Sequence, residues 1–163
     1  MKKTVYQFQF EEYNHIGELS TEDALLLSKA REVTTVAYAP YSRFHVGACA
    51  LLTNGELVTG TNQENASYPV GICAERVLLS AASSVHPNTP ITTMAISYFN
   101  HNTQVSNRPL SPCGMCRQAL SEFENRFNRP IRIILGGLEG KIYILDTAQH
   151  LLPLSFSGSD LTE

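Results

Sequence analysis

The sequence has no excess of basic residues and no long apolar run. Its 163 residues include 12 Lys and Arg against 15 Asp and Glu, a formal net charge of −3. Proteins that follow a phosphate backbone carry a basic stripe, so we expect no nucleic-acid partner. No apolar stretch approaches the roughly 20 residues that cross a bilayer, and the start of the chain lacks the apolar region of a secretion signal. We therefore expect no membrane association and a cytoplasmic location.

Cysteine is also scarce, with four residues in the chain. Four cysteines could form two disulfides in a secreted protein, but a Cys-x-x-Cys motif in a cytosolic chain more often binds a metal or carries out redox chemistry. No repeat, low-complexity tract or linker divides the sequence. We expect a single domain over residues 1–163, in which residues 1–19 form an N-terminal extension.

Hydrophobic periodicity predicts alternating strands and helices, and hence an α/β fold with a mixed sheet covered by helices. In the extension Tyr6, Phe8 and Phe10 alternate with glutamine, which predicts a short strand that pairs with a sheet edge or with another subunit. The first helix is predicted from Ser20 toward Pro40. The other predicted strands are 46–53, 56–62, 91–99, 131–135 and 141–145, and the other helices begin at Cys73, Cys116 and about Thr147.

Three cysteines are predicted to meet at two helix starts. Cys73 begins one helix, and Cys113 and Cys116 lie at the start of another. The unpaired amides and partial positive charge of a helix N-terminus stabilise thiolates, which are the metal-binding form of cysteine. The fourth cysteine, Cys49, lies in an apolar strand and is assigned to the core. Three thiolates with no fourth protein ligand predict a zinc site that keeps a position for water, as catalytic sites do.

Glu75 follows two residues after Cys73. Zinc lowers the pKa of a bound water from about 15.7 to roughly 7, and Glu75 is placed to take and return the proton. Three thiolates around a dication leave a formal charge of about −1, which Arg76 could offset by hydrogen bonding to a sulfur. Taken singly, the Cys-x-x-Cys pair could be a redox pair or half of a structural zinc site, and Glu75 could be an ordinary charge at a helix start.

Together these motifs resemble the zinc nucleoside and nucleobase deaminases, and more narrowly the small homotetrameric cytidine deaminases with three zinc cysteines. The similarity runs from about residue 24 to residue 156. It implies a three-layer α/β/α sandwich with a mixed five-stranded sheet, one Zn²⁺ per subunit and a homotetramer. The segments that carry it are AYAPYSRFHVGA at 37–48, NQENASY at 62–68, ICAER at 72–76 and SPCGMCRQ at 111–118.

The resemblance also implies an activity and the residues that perform it. The activity is hydrolysis of cytidine and 2′-deoxycytidine to uridine and 2′-deoxyuridine plus ammonia, in pyrimidine salvage. Glu75 would protonate ring N3 and then the departing amine. The resemblance also implies the substrate-binding residues. Phe44 would stack on the base, and Asn62 and Glu64 would bind the ribose. Tyr68 and Phe156 would be lent to the site of a neighbouring subunit.

Two departures from the family pattern leave alternatives open. Pro69 follows Tyr68 where a glycine is expected, and about 18 residues precede the first helix. A modified cytosine nucleoside, a nucleoside antibiotic or another aminated ring is therefore the alternative substrate. Deamination within nucleic acid is less favoured because the chain is acidic. Outside deaminases, the alternatives are a non-catalytic zinc module and a redox protein that cycles Cys113 and Cys116 through a disulfide.

Overall fold

One mixed six-stranded sheet lies between two helical layers in the computed structural model, which describes residues 1–162. The strand order across the sheet is β1-β6-β5-β4-β2-β3. β4 and β5 run parallel, and the other described neighbours run antiparallel. The strands are β1 (Glu11–Tyr13), β2 (Phe44–Leu52), β3 (Leu57–Thr61), β4 (Ile91–Asn100), β5 (Arg132–Gly136) and β6 (Ile142–Leu145), and the helices are α1 (Thr21–Val33), α2 (Ala74–Val85) and α3 (Gly114–Phe127).

The three-layer α/β/α architecture is confirmed, but the sheet has six strands where five were predicted. The sixth is β1, which pairs antiparallel with β6 from Glu11 opposite Ile144 to Tyr13 opposite Ile142. The prediction of a strand over residues 6–10 is wrong in position, because the short strand β6 offers a ladder only to residues 11–13. Ahead of β1, the Phe8 ring stacks on His150 with centroids 5.3 Å apart.

The two faces of the sheet carry separate apolar clusters. α1 packs on one face, where Leu26, Leu27 and Cys49 are fully buried or nearly so. α2 and α3 cover the opposite face through a larger cluster that includes Leu78 and Leu120. Burial raises the pKa of the Cys49 thiol to about 11, so this cysteine behaves as a neutral core residue.

α1 begins where its capping pattern predicts and ends earlier than expected. The Ser20 hydroxyl accepts a hydrogen bond from the Asp23 amide at 3.2 Å, which satisfies one of the free donors of the first turn. The regular helix stops at Val33, and a single 3₁₀ turn over Thr34–Val36 leads toward Pro40. The chain therefore leaves the helix before the proline is reached, and β2 begins beyond it at Phe44.

Two glycines let the helices sit directly on the sheet. A Cβ atom on Gly60 in β3 would lie 2.4 Å from the carbonyl oxygen of Ala74, in the first turn of α2. A Cβ on Gly47 in β2 would lie 2.2 Å from the carbonyl oxygen of Ala30 in α1, on the opposite face. Only glycine permits approaches this close, and Gly60 thereby fixes the height of the start of α2 above the sheet.

None of the helices within residues 1–162 combines the length and apolar character needed to cross a lipid bilayer.

Candidate active site

The three predicted cysteines meet between the first turns of α2 and α3. Cys73 and Cys113 are the N-cap residues of these helices, and neither side chain caps its helix within the described chain, so both thiols are free for other partners. The Cys73 and Cys113 sulfurs lie 3.8 Å apart and the Cys113 and Cys116 sulfurs 3.6 Å apart. All three lie within 4.8 Å of one another.

This spacing fits a tetrahedral zinc ion. Zn–S bonds of about 2.3 Å in tetrahedral geometry place two ligand sulfurs about 3.8 Å apart. The three thiols supply three corners of the tetrahedron, and among residues 1–162 no other His, Cys, Asp or Glu completes the cluster as a fourth ligand. The donor set therefore matches a catalytic zinc site with one open position.

The electrostatics of the cluster favour a thiolate at Cys73. A hydrogen bond from the Cys116 thiol, aided by the positive charge of Arg76, lowers the pKa of Cys73 to about 6. The same contact raises the pKa of Cys116, so the proton is concentrated on the buried sulfur. Arg76 makes no hydrogen bond to a sulfur among the described residues, and its influence is one of charge alone. The thiolate that forms readily at Cys73 is the form of cysteine that binds zinc.

Glu75 lies in the first turn of α2, beside the sulfurs. Its residue is only 4% exposed, and this burial raises the pKa of its carboxyl group. The neighbouring Cys116 thiol acts in the opposite direction and lowers the pKa of Glu75, but burial has the larger effect. A buried carboxyl next to an open metal position has the location that a proton-transfer group needs.

The two predicted ribose-binding residues have different surroundings. The Asn62 amide clamps β2, since its Nδ2 donates to the Phe44 carbonyl at 2.9 Å and its Oδ1 accepts from the Val46 amide at 2.8 Å. Glu64 Oε2 accepts from the amides of Tyr41 and Ser42 at 2.9 and 3.2 Å. Although burial opposes ionisation, these hydrogen bonds lower the pKa of Glu64, so its carboxylate is an ionised acceptor.

A cavity of about 330 Å³ adjoins the Glu64 carboxylate, and Tyr68 forms part of its wall. The remaining predicted rings are not among the residues that line it. Phe44 stacks on Tyr98 with centroids 4.9 Å apart and an angle of 18° between the rings. Phe156 is 58% exposed in the C-terminal tail. The structure thus brings Glu64 and Tyr68 together and leaves Phe44 and Phe156 outside the cavity wall.

Arg117 is a contact residue of this region that the sequence analysis did not single out. Its Nε donates to the Pro112 carbonyl at 2.8 Å and its terminal nitrogen to the Leu151 carbonyl at 2.9 Å. The available signal was its position directly after Cys116. The partner Leu151 could not have been read from the sequence, because it lies far along the chain.

The site thus has three thiols between two helix starts, beside a buried glutamate, on a sheet covered by helices. This is the arrangement of the zinc-dependent nucleoside and nucleobase deaminases. A family model for the cytidine and deoxycytidylate deaminase zinc-binding region matches residues 20–128. The chain belongs to this family of zinc-binding deaminases.

Individual relatives agree with the family. The chain is 34% identical over 139 residues to a cytidine deaminase from Halalkalibacterium halodurans. The aligned region covers 85% of this chain and 97% of that protein. It is 29% identical over 140 residues to a blasticidin-S deaminase from Bacillus cereus, with 85% and 95% covered. The crystal structure of cytidine deaminase from Burkholderia pseudomallei superimposes with a TM-score of 0.71 at 31% identity, covering 85% of this chain and all of that one.

Proposed function

We propose that this protein hydrolyses the 4-amino group of cytidine and 2′-deoxycytidine, giving uridine or 2′-deoxyuridine and ammonia, in pyrimidine salvage in the cytoplasm. The observation that carries the proposal is a buried carboxyl, Glu75, beside three thiols spaced for zinc. The relative from H. halodurans, a cytidine deaminase covered over 97% of its length, supports the same substrate.

Cys73, Cys113 and Cys116 would hold one zinc ion per subunit. When bound there, zinc supplies a water whose pKa is lowered to roughly 7. Arg76 adds a positive charge near the three thiolates, which reduces the formal negative charge of the cluster. Glu75 and Cys116 are buried, so the proton-transfer group and one ligand are shielded from bulk water, whereas Cys113 is exposed.

Glu75 transfers the protons of the reaction. Its carboxylate takes the proton of the attacking water while a C–O bond forms at C4 of cytosine. The same carboxyl delivers that proton to ring N3. It then passes a second proton from the new C4 hydroxyl to the amino nitrogen, so that the C4–N bond breaks and the C4 carbonyl forms. The balance is one water and one cytidine consumed, and one uridine and one ammonia formed.

The substrate-binding residues are proposed from their chemistry and position. The Glu64 carboxylate is ionised and lies at the wall of the 330 Å³ cavity. It is therefore suited to accept a hydrogen bond from a ribose hydroxyl. Asn62 braces the strand beside it, and the second N–H of its Nδ2, which the bond to the Phe44 carbonyl leaves over, would donate to the same sugar. The Phe44 ring, which lies against Tyr98, would stack on the base.

Tyr68 and Phe156 are proposed to act across a subunit boundary in a homotetramer. Both rings are exposed on the isolated chain, at 76% and 58%. Large aromatic rings exposed this far are typical of interface residues. Light scattering coupled to gel filtration should therefore give four times the chain mass of 18.0 kDa, and a monomer with full activity would contradict this part of the proposal.

Absorbance tests the proposed reaction directly. Zinc-loaded protein should abolish the ultraviolet absorbance that distinguishes cytidine and deoxycytidine from their uracil products, with ammonia released in equal amount. Single-stranded oligonucleotides should neither bind nor inhibit. Protein with one zinc per chain that leaves both nucleosides unchanged would refute the proposal.

A modified cytosine nucleoside is the second candidate substrate. Pro69 lies in the 3₁₀ turn Tyr68–Val70, which carries part of the cavity wall, and the blasticidin-S deaminase relative matches over 95% of its length. A panel of cytidine, deoxycytidine and base-modified analogues distinguishes the two, because the highest kcat/KM identifies the substrate class.

A further inference from the structure

Arg117 joins the metal loop to the C-terminal segment of the chain. Its guanidinium donates to the carbonyl of Pro112, immediately before Cys113, and to the carbonyl of Leu151. We propose that Arg117 is a positioning residue that holds Cys113 in place as a zinc ligand and couples that ligand to the C-terminal tail, defined here as residues 147–156. The inference rests on the zinc ligation given under the proposed function.

Arg117 fixes Cys113 from both sides. The main-chain amide of Arg117 donates to the Cys113 carbonyl at 3.0 Å, and its side chain holds the preceding carbonyl, that of Pro112, at 2.8 Å. The two peptide units that flank the Cys113 Cα are therefore each restrained by Arg117 at their carbonyl oxygen. Cys113 itself is exposed, as is the Gly114 that follows it, so packing offers this ligand little restraint of its own.

The other two ligands are held by different means. Ile72, directly before Cys73, exchanges two main-chain hydrogen bonds of 2.9 Å with Gln63. Cys116 is fully buried within the first turn of α3. Cys113 is thus the ligand whose approach depends on a side chain. Arginine suits this task because its planar fork bonds two carbonyls at once, whereas a lysine ammonium is a single point of contact.

α3 carries further contacts to the C-terminal tail. Gln118 Nε2 donates to the Phe156 carbonyl at 2.8 Å, and the Ser121 hydroxyl donates to the hydroxyl of Ser155 at 3.2 Å. One turn further, the buried Glu124 carboxylate accepts from the Ala148 amide at 2.9 Å. The tail therefore lies along the same helix that begins with two metal ligands, and Arg117 is the member of this row that also touches the metal loop.

Zinc transfer to a chelator tests the inference without any nucleoside. Loss of a partner that orients a metal ligand typically costs 10–100-fold in metal affinity or activity. Arg117→Gln should therefore release zinc to a colorimetric chelator about 10–100-fold faster than the wild type, and Arg117→Lys should fall between them because it restores one hydrogen bond. The d–d absorption of cobalt-substituted protein should shift in Arg117→Gln, as the Cys113 sulfur moves.

Arg129 provides the matched control. It lies just beyond α3, is exposed, and its side chain has no hydrogen-bond partner within residues 1–162. Arg129→Gln removes the same charge and should leave zinc transfer and the cobalt spectrum unchanged. Hydrogen exchange of residues 147–156 should increase in Arg117→Gln and not in Arg129→Gln.

Each outcome bears on the inference. Zinc transfer equal to that of the wild type in both Arg117 variants would overturn it. The rate of global unfolding is monitored by circular dichroism. The inference is also overturned if zinc is lost only at that rate, because Arg117 would then support the fold and not the ligand. A wild-type protein that binds zinc but deaminates no nucleoside would refute the proposed function and leave this comparison intact.

Discussion

Substitution of Gly60 by alanine tests how the sheet positions the active site. The added Cβ would lie 2.4 Å from the Ala74 carbonyl oxygen and 2.6 Å from the Leu78 amide nitrogen, both main-chain atoms of α2. Optimal separation of non-bonded heavy atoms begins at about 3.5 Å. The start of α2 must therefore move away from β3 by about 1 Å, and Cys73 and Glu75 move with it.

This displacement has a calculable effect on catalysis. A misplacement of about 1 Å in an active site costs roughly 100-fold in rate, and overpacking a core costs about 1–3 kcal/mol of stability. Gly60→Ala should therefore lower kcat on cytidine by about two orders of magnitude and reduce the zinc content after dialysis. The protein should remain folded, with a lower unfolding midpoint in urea.

Two other glycines supply controls. Gly47→Ala creates an equally close contact, 2.2 Å from the Ala30 carbonyl oxygen, but against α1 on the other face. It should lose similar stability and retain kcat. A Cβ on Gly158 meets no atom within 4 Å in the described chain, so Gly158→Ala should change neither property. The reasoning is refuted if Gly60→Ala keeps wild-type kcat and zinc content, or if Gly47→Ala loses as much activity.

Three further substitutions address separate parts of the molecule. Cys49→Ala should retain one zinc per chain, and Cys49 should resist alkylation at pH 8 because burial raises its pKa to about 11; zinc loss would make it a ligand. Glu64→Gln should raise KM for cytidine more than it lowers kcat, and an unchanged KM would remove Glu64 from the ribose site. Asp23→Asn weakens the two-pronged pair with Arg132, which should lower the free energy of unfolding by about 2 kcal/mol in urea titrations without changing kcat.

The local elements could be predicted because their signals are local. Ser20 caps α1 as its spacing indicates, and the turn between β2 and β3 falls at the predicted Asn54-Gly55. The convergence of Cys73 with Cys113 and Cys116 was predictable too, since each motif starts a helix that follows a loop. In these cases the residue types determine the backbone conformation within a few positions.

Features that depend on distant partners could not be predicted. The position of β1 follows from pairing with Ile142–Ile144, which lie at the other end of the chain. The Arg117 guanidinium has its second partner in the Leu151 carbonyl, 34 residues further along the chain. The sequence around β1 or around Arg117 does not indicate these partners, because main-chain groups are present at every position.

The central claim is tested most directly by measuring cytidine turnover by the wild type and by Glu75→Gln. Each protein is first verified to contain one zinc per chain. The buried glutamine keeps the size of the side chain but cannot transfer protons. We predict that the wild type converts cytidine to uridine and ammonia in equal amounts and that Glu75→Gln retains zinc while losing several orders of magnitude in kcat. A zinc-loaded wild type without turnover, or a Glu75→Gln variant of equal activity, would contradict the account.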